Sequence, residues 1–107
     1  MARPTKWRKI ENIPITSYFV PAQSETLGIQ ENNLKLEELE AIRLKDLEGL
    51  EQGECAEKME VSRPTFQRIL LSAREKVADS LINGKMIHID GGKYVCKDCD
   101  FAKERSK

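Results

Sequence analysis

Histidine occurs once in this chain, aromatic residues fill only 6% of its 107 positions, and no long apolar run is present. Each scarcity excludes something. With a single histidine, no glycine-rich phosphate loop and no carboxylates paired in a recognisable cleft, enzymatic chemistry has little to stand on, and the chain is expected not to be an enzyme. A membrane-crossing helix needs roughly 18–20 consecutive apolar residues, so no membrane segment is expected. The charged start has no apolar signal-peptide core. Three cysteines are an odd number without a disulfide framework, which suits a reducing compartment and a cytoplasmic location. The thin aromatic supply leaves a modest core built mostly of Leu and Ile, enough for one domain.

The net charge is zero, but the charges are segregated. Residues 1–20 carry four basic residues against Glu11, for +3. Residues 21–60 carry four basic and eleven acidic residues, for −7, and residues 61–107 carry ten basic and six acidic, for +4. The two basic ends favour a polyanionic partner, and the acidic middle opposes one.

Composition divides the chain into three segments. Residues 1–33 hold Pro4, Pro14 and Pro21, all the prolines but one, and their only strand-like run is "IPITSYFV". This reads as an extended basic arm whose Trp7, Tyr18 and Phe19 pack into the core. Residues 34–84 turn helical. Leu36, Leu39, Ile42, Leu47 and Leu50 recur at helical spacing, with Glu37, Glu38 and Glu40 largely off that stripe, which predicts a helix over 36–47. Gly49 ends it. A short second helix is expected over 51–59, with Cys55, Ala56 and Met59 inward. Residues 85–107 read as two strand-like runs, "KMIHID" and "KYVC", joined as a hairpin at Gly91-Gly92, and then a polar tail.

Between the second helix and the hairpin lies "EKMEVSRPTFQRIL", which places Pro64 inside a helical pattern. Ser62 is a good N-cap, and proline is tolerated in a first turn because N–H groups there have no partner within the helix. Pro64 therefore starts a third helix running to about Asn83, with Phe66, Ile69, Leu70, Ala73, Val77 and Leu81 as its buried stripe. A short helix, a turn of three residues and a longer helix with a polar, basic start make a helix-turn-helix. Ala56 is the small residue at the helix crossing and Val61 the apolar residue in the turn. Arg63, Pro64, Thr65, Gln67 and Arg68 form the start that would enter a major groove, where Arg pairs with guanine and Gln with adenine. Gln52, at the start of the second helix, is grouped with them. Arg3, Lys6, Arg8 and Lys9 of the arm are candidates for phosphate contact.

The stretch "LEGLEQGECAEKMEVSRPTFQRILLSAREKVADSLINGK" resembles the core of the domain-of-unknown-function 134 family, whose members are expected to bind DNA. "ARPTKWRKI", "YFVPAQ", "LKLEELEAIRLKDLEGL" and "IHIDGGKY" extend the likeness over roughly residues 2–95. The resemblance implies a mainly α, three-helix domain like sigma-factor region 4, with the arm and a short C-terminal β-hairpin. The chain departs from that pattern at Lys35 and Glu51, where Thr or Ser caps are usual, at Gly53, where Glu is usual, and at Glu60, in a turn where Gly is usual and φ is often positive.

"YVCKDCDF" has the spacing of one arm of a zinc knuckle. A closed tetrahedral zinc site needs four ligands, and Cys96 and Cys99 have no second pair in the chain. An unmetallated knuckle, a zinc site shared between two chains and a redox dithiol remain open, with His88 as a third ligand only if a lone strand histidine is not structural. The reading taken forward is sequence-specific binding of double-stranded DNA by a transcriptional regulator acting as a homodimer, with contacts through the third helix beyond Ala73 or the hairpin. A different class, a protein-interaction module docking a basic partner through its acidic helices, is the alternative.

Overall fold

A computed structural model of the chain describes residues 7–11, 13–22 and 28–96. Among the described residues, five short strands and three helices follow one another as β1 (Arg8–Ile10), β2 (Tyr18–Phe19), β3 (Glu31–Leu34), α1 (Leu36–Ile42), α2 (Gln52–Met59), α3 (Arg63–Asn83), β4 (Met86–Ile89) and β5 (Tyr94–Cys96). Among the described residues no helix is long and apolar enough to cross a membrane.

The helices form where the periodicity places them. α1 opens on Lys35, which offers no acceptor for a cap. Glu38 compensates in part: its carboxylate accepts the Lys35 backbone N–H at 2.9 Å. At Arg43 the coil widens into a π-helical stretch, Arg43–Leu47, in which the Glu48 N–H reaches the Arg43 carbonyl at 2.8 Å. The wider turn rotates the side chains beyond it. Leu44 occupies the core position, and Leu47, expected to be inward, is 77% exposed. The turn after α2 runs through Glu60, whose φ of 58° and ψ of 46° are left-handed, a cost of about 1–2 kcal/mol for a residue with a side chain.

Two adjoining cores result. One joins the helices through Ala41, Leu44, Cys55, Ala56, Met59, Phe66, Ile69 and Leu70. The other joins strands to helices through Ile10, Leu34, Leu36, Ala73 and Ile89. Phe66 and Met59 are completely buried, and Cys55 is sealed with them.

The expected C-terminal hairpin does not form. β4 pairs with β3 in parallel and with β2 antiparallel, while β5 pairs in parallel with β1, Arg8 opposite Tyr94 and Ile10 opposite Cys96. The loop between them is captured by the start of α1 instead. The Leu36 N–H donates to the Gly91 carbonyl at 3.0 Å, and the Lys93 N–H donates to the Glu37 carboxylate at 2.9 Å. Gly92, at φ 109°, leaves the space that Glu37 fills; a Cβ there would lie 2.1 Å from Glu37 Oε1.

Three further expectations change. Trp7, Tyr18 and Phe19 are about half exposed rather than core residues, at 55, 48 and 57%. Tyr18 instead stacks on His88, ring centres 4.2 Å apart. Leu81 is exposed because the inward position near the end of α3 belongs to Ser80, whose hydroxyl accepts from the Asn32 amide of β3 at 2.9 Å. Glu37, Glu38 and Glu40 are buried, not solvated. Glu40 holds Arg43 through two hydrogen bonds of 2.9 Å. Glu38 accepts from Lys76 Nζ at 2.8 Å and from the Ser72 hydroxyl at 2.7 Å.

This network has a pH signature. Burial pushes the Glu38 carboxyl up, but hydrogen bonds from Lys76, the Lys35 N–H and Ser72, with the Lys76 charge, bring it below the ordinary glutamate range. A carboxyl lowered in the folded state adds stability that is complete above its unfolded value and lost as pH falls through its folded value. Stability is therefore expected to decline as pH drops below about 4.3. Glu38→Gln should flatten that decline and lower stability at neutral pH by about 1–3 kcal/mol. Thermal melts of both proteins from neutral to acid pH check this; parallel profiles would remove Glu38 as the source.

Candidate functional site

The start of α3 gathers most of the residues singled out in the sequence. Ser62 is extended at φ −72° and ψ 160°, and its hydroxyl oxygen accepts the Thr65 N–H at 3.2 Å. The same hydroxyl donates to Thr65 Oγ1 at 2.9 Å. That cap draws Arg63 into the helix, one residue before Pro64, and Pro64 falls in the first turn where its missing N–H leaves no bond unmade. Helical spacing then sorts the side chains. Phe66 and Ile69 turn inward, while Arg63, Pro64, Gln67 and Arg68 are exposed and Thr65 is half-buried.

α2 supports this surface. The guanidinium of Arg63 lies over its first turn, with Nε and Cζ 3.6 and 3.7 Å from where a Cβ on Gly53 would stand. Gln52 Nε2 donates to Gln67 Oε1 across the two helices. Arg68 Nη2 reaches Thr65 Oγ1 at 3.5 Å, a weak contact that leaves the guanidinium outward. Among the described residues, neither Arg63 nor Arg68 forms an ion pair. Arg74 and Lys76, further along α3, are paired with Asp46 and Glu38. The cations without carboxylate partners on this helix are thus those at its start.

Arg8 and Lys9 stand in β1, an extended stretch of the expected arm that pairs with β5, and Arg3 and Lys6 lie outside the described residues. The Arg8 N–H donates to the Lys93 carbonyl at 3.0 Å. Lys9 Nζ lies 2.9 Å from a Glu60 carboxylate oxygen, which brings the basic strand to the turn between α2 and α3. Sequence reasoning missed this contact, and nothing local signals it, since the two residues are 51 apart. It also missed the seat of Arg63 on Gly53, for which the glycine in an otherwise helical run was the available sign.

Cys96 ends β5 and packs beside the strand–helix core, and Cys99 lies outside the described residues. His88 stacks on Tyr18, with Nδ1 3.5 Å from Glu31. No group of three or more His, Cys, Asp or Glu able to hold a metal occurs among the described residues.

The family described as "Protein of unknown function DUF134" matches residues 1–97. A UPF0251 protein of Halothermothrix orenii is 62% identical over 94 residues, covering 88% of this chain and 70% of that protein. A UPF0251 protein of Clostridium beijerinckii is 57% identical over 101 residues, covering 94% of this chain and 68% of that protein. No solved structure matches the chain.

Proposed function

The chain belongs to the DUF134 family, whose description assigns no activity, and we propose that it binds double-stranded DNA as a helix-turn-helix protein like sigma-factor region 4. The observation that carries the reading is the start of α3. A capped helix, held across a three-residue turn from α2, turns Arg63, Gln67 and Arg68 to solvent while Phe66 and Ile69 lock it to the core. Such a helix end enters a major groove, and its Arg and Gln side chains match guanine and adenine edges. The role that fits is transcriptional regulation.

The interaction-module reading draws on the acidic helices. Glu37, Glu38 and Glu40 are buried against their own partners, which leaves it the exposed carboxylates of Asp46, Glu48, Glu51, Glu54, Glu57 and Glu60.

Titration with random duplex DNA at about 50 and about 200 mM salt tests the DNA reading. Binding that weakens steeply with salt is expected, and no binding at the lower salt would overturn it. Lys9 reports separately on the basic strand. Lys9→Gln should lower the salt slope by about one if Lys9 leaves Glu60 for a phosphate. An unchanged slope would leave Lys9 as a tie between strand and turn.

Two-fold operators are read by paired units, so the chain is proposed to act as a homodimer. With the hairpin absent, the end of α3 remains as the contact, where Leu81 and Ile82 are 75 and 81% exposed. Sedimentation at micromolar concentration should return a dimer; a monomer both free and on DNA would overturn this.

A further inference from the structure

We propose that Gln52 is a positioning residue for Gln67, and that the pair reads an adenine in the major groove; this rests on the DNA-binding reading above. The two side chains come from different helices, 15 residues apart, and meet through one hydrogen bond from Gln52 Nε2 to Gln67 Oε1. Among the described residues neither side-chain amide makes another hydrogen bond. Gln67 is exposed on the groove-facing start of α3, and Gln52 is the first residue of α2, half-buried behind it.

The chemistry of the pair selects its ligand. A glutamine amide has two acceptor sites on its oxygen and two donors on its nitrogen. The bond from Gln52 uses one acceptor site of Gln67, so Gln67 keeps one acceptor and its donors side by side. Adenine asks for that arrangement, because its N6 amino group donates and its N7 accepts. Guanine offers acceptors at both O6 and N7, and the Gln67 oxygen meets no donor there. If both amides turn over together, Gln67 still shows one donor and one acceptor, so the preference persists. A lone glutamine on an open helix face would lose most of its rotamer freedom on reaching a base. Gln52 has already taken up part of that loss.

A double-mutant cycle on the full chain tests the idea. Bound duplexes are selected from a random pool by the wild type, Gln52→Met, Gln67→Met and the double variant. Methionine keeps the length and helix propensity and removes the amide. The wild type should enrich adenine at one position of the site, and Gln67→Met should lose that enrichment. Gln52→Met should weaken it by about tenfold, within the range of a good bidentate contact. The double variant should match Gln67→Met, because Gln52 acts only through its partner. A purely structural Gln52 would instead shift the melting temperature and lower affinity for every sequence without moving base preference.

An unchanged adenine preference in Gln52→Met overturns the proposal while leaving DNA binding intact. So do additive losses, which would mean that Gln52 contacts DNA on its own account, and so does a wild-type site without adenine enrichment. If the wild type retains no duplex at all, the DNA-binding reading fails first and this inference with it.

Discussion

Phe66→Ala is expected to lower the stability of this protein by about 3–5 kcal/mol. Phe66 is completely buried in the cluster that joins α1, α2 and α3. Its neighbours there include Ala56, Met59 and Leu70, none of which is large enough to refill the space. Native domains are stable by only about 5–15 kcal/mol, and a chain with so few aromatics has little reserve. The side chain also anchors the first turn of α3, so its loss loosens the helix that presents Arg63, Gln67 and Arg68. Urea or thermal unfolding followed by circular dichroism measures the effect. A variant within about 1 kcal/mol of the wild type would show that the α2–α3 junction does not depend on this ring.

The second large effect concerns binding. The double variant Arg63→Ala, Arg68→Ala should keep its fold and bind duplex DNA at least about thirtyfold more weakly, since one good pairing with a guanine is worth about 1–3 kcal/mol. Both side chains are exposed and outside the apolar stripe, so far-UV circular dichroism should not change. Among the described residues neither has a carboxylate to leave, which makes their charge available to DNA without a broken ion pair. The single variants separate their roles. Arg68→Ala should relax selection at one base position, whereas Arg63→Ala also frees the seat above Gly53 and should affect neighbouring positions. Wild-type affinity in the double variant would show that the start of α3 is not the groove-facing element.

How far the sequence alone reached depends on the range of the interaction concerned. The second and third helices lie within a residue of where periodicity put them, and the first runs over the expected span with its last turn widened. The Ser62 cap and the left-handed Gly84 that closes α3 are local signals, each written within one or two turns of chain. Pro64 was legible for the same reason, since only the first turn of a helix accepts it without losing a bond. The core faces of Cys55, Ala56, Phe66 and Ile69 followed from the helical period alone.

Only the tertiary structure decided the rest. Gly91-Gly92 has the local chemistry of a hairpin, yet β5 takes its hydrogen bonds from β1 at the other end of the chain, because α1 holds the intervening loop. A strand's partner depends on which edges the whole fold leaves open, and no window of sequence contains that choice. The acidic run in α1 likewise reads as a solvated face until Lys76, Ser72, Arg43 and the Lys93 N–H are seen to meet its carboxylates. Helices are closed by bonds four residues apart and can be read from one end of the turn to the other. Strand pairing, charge burial and the meeting of Lys9 with Glu60 join residues tens of positions apart, and those contacts exist only once the chain has folded around them.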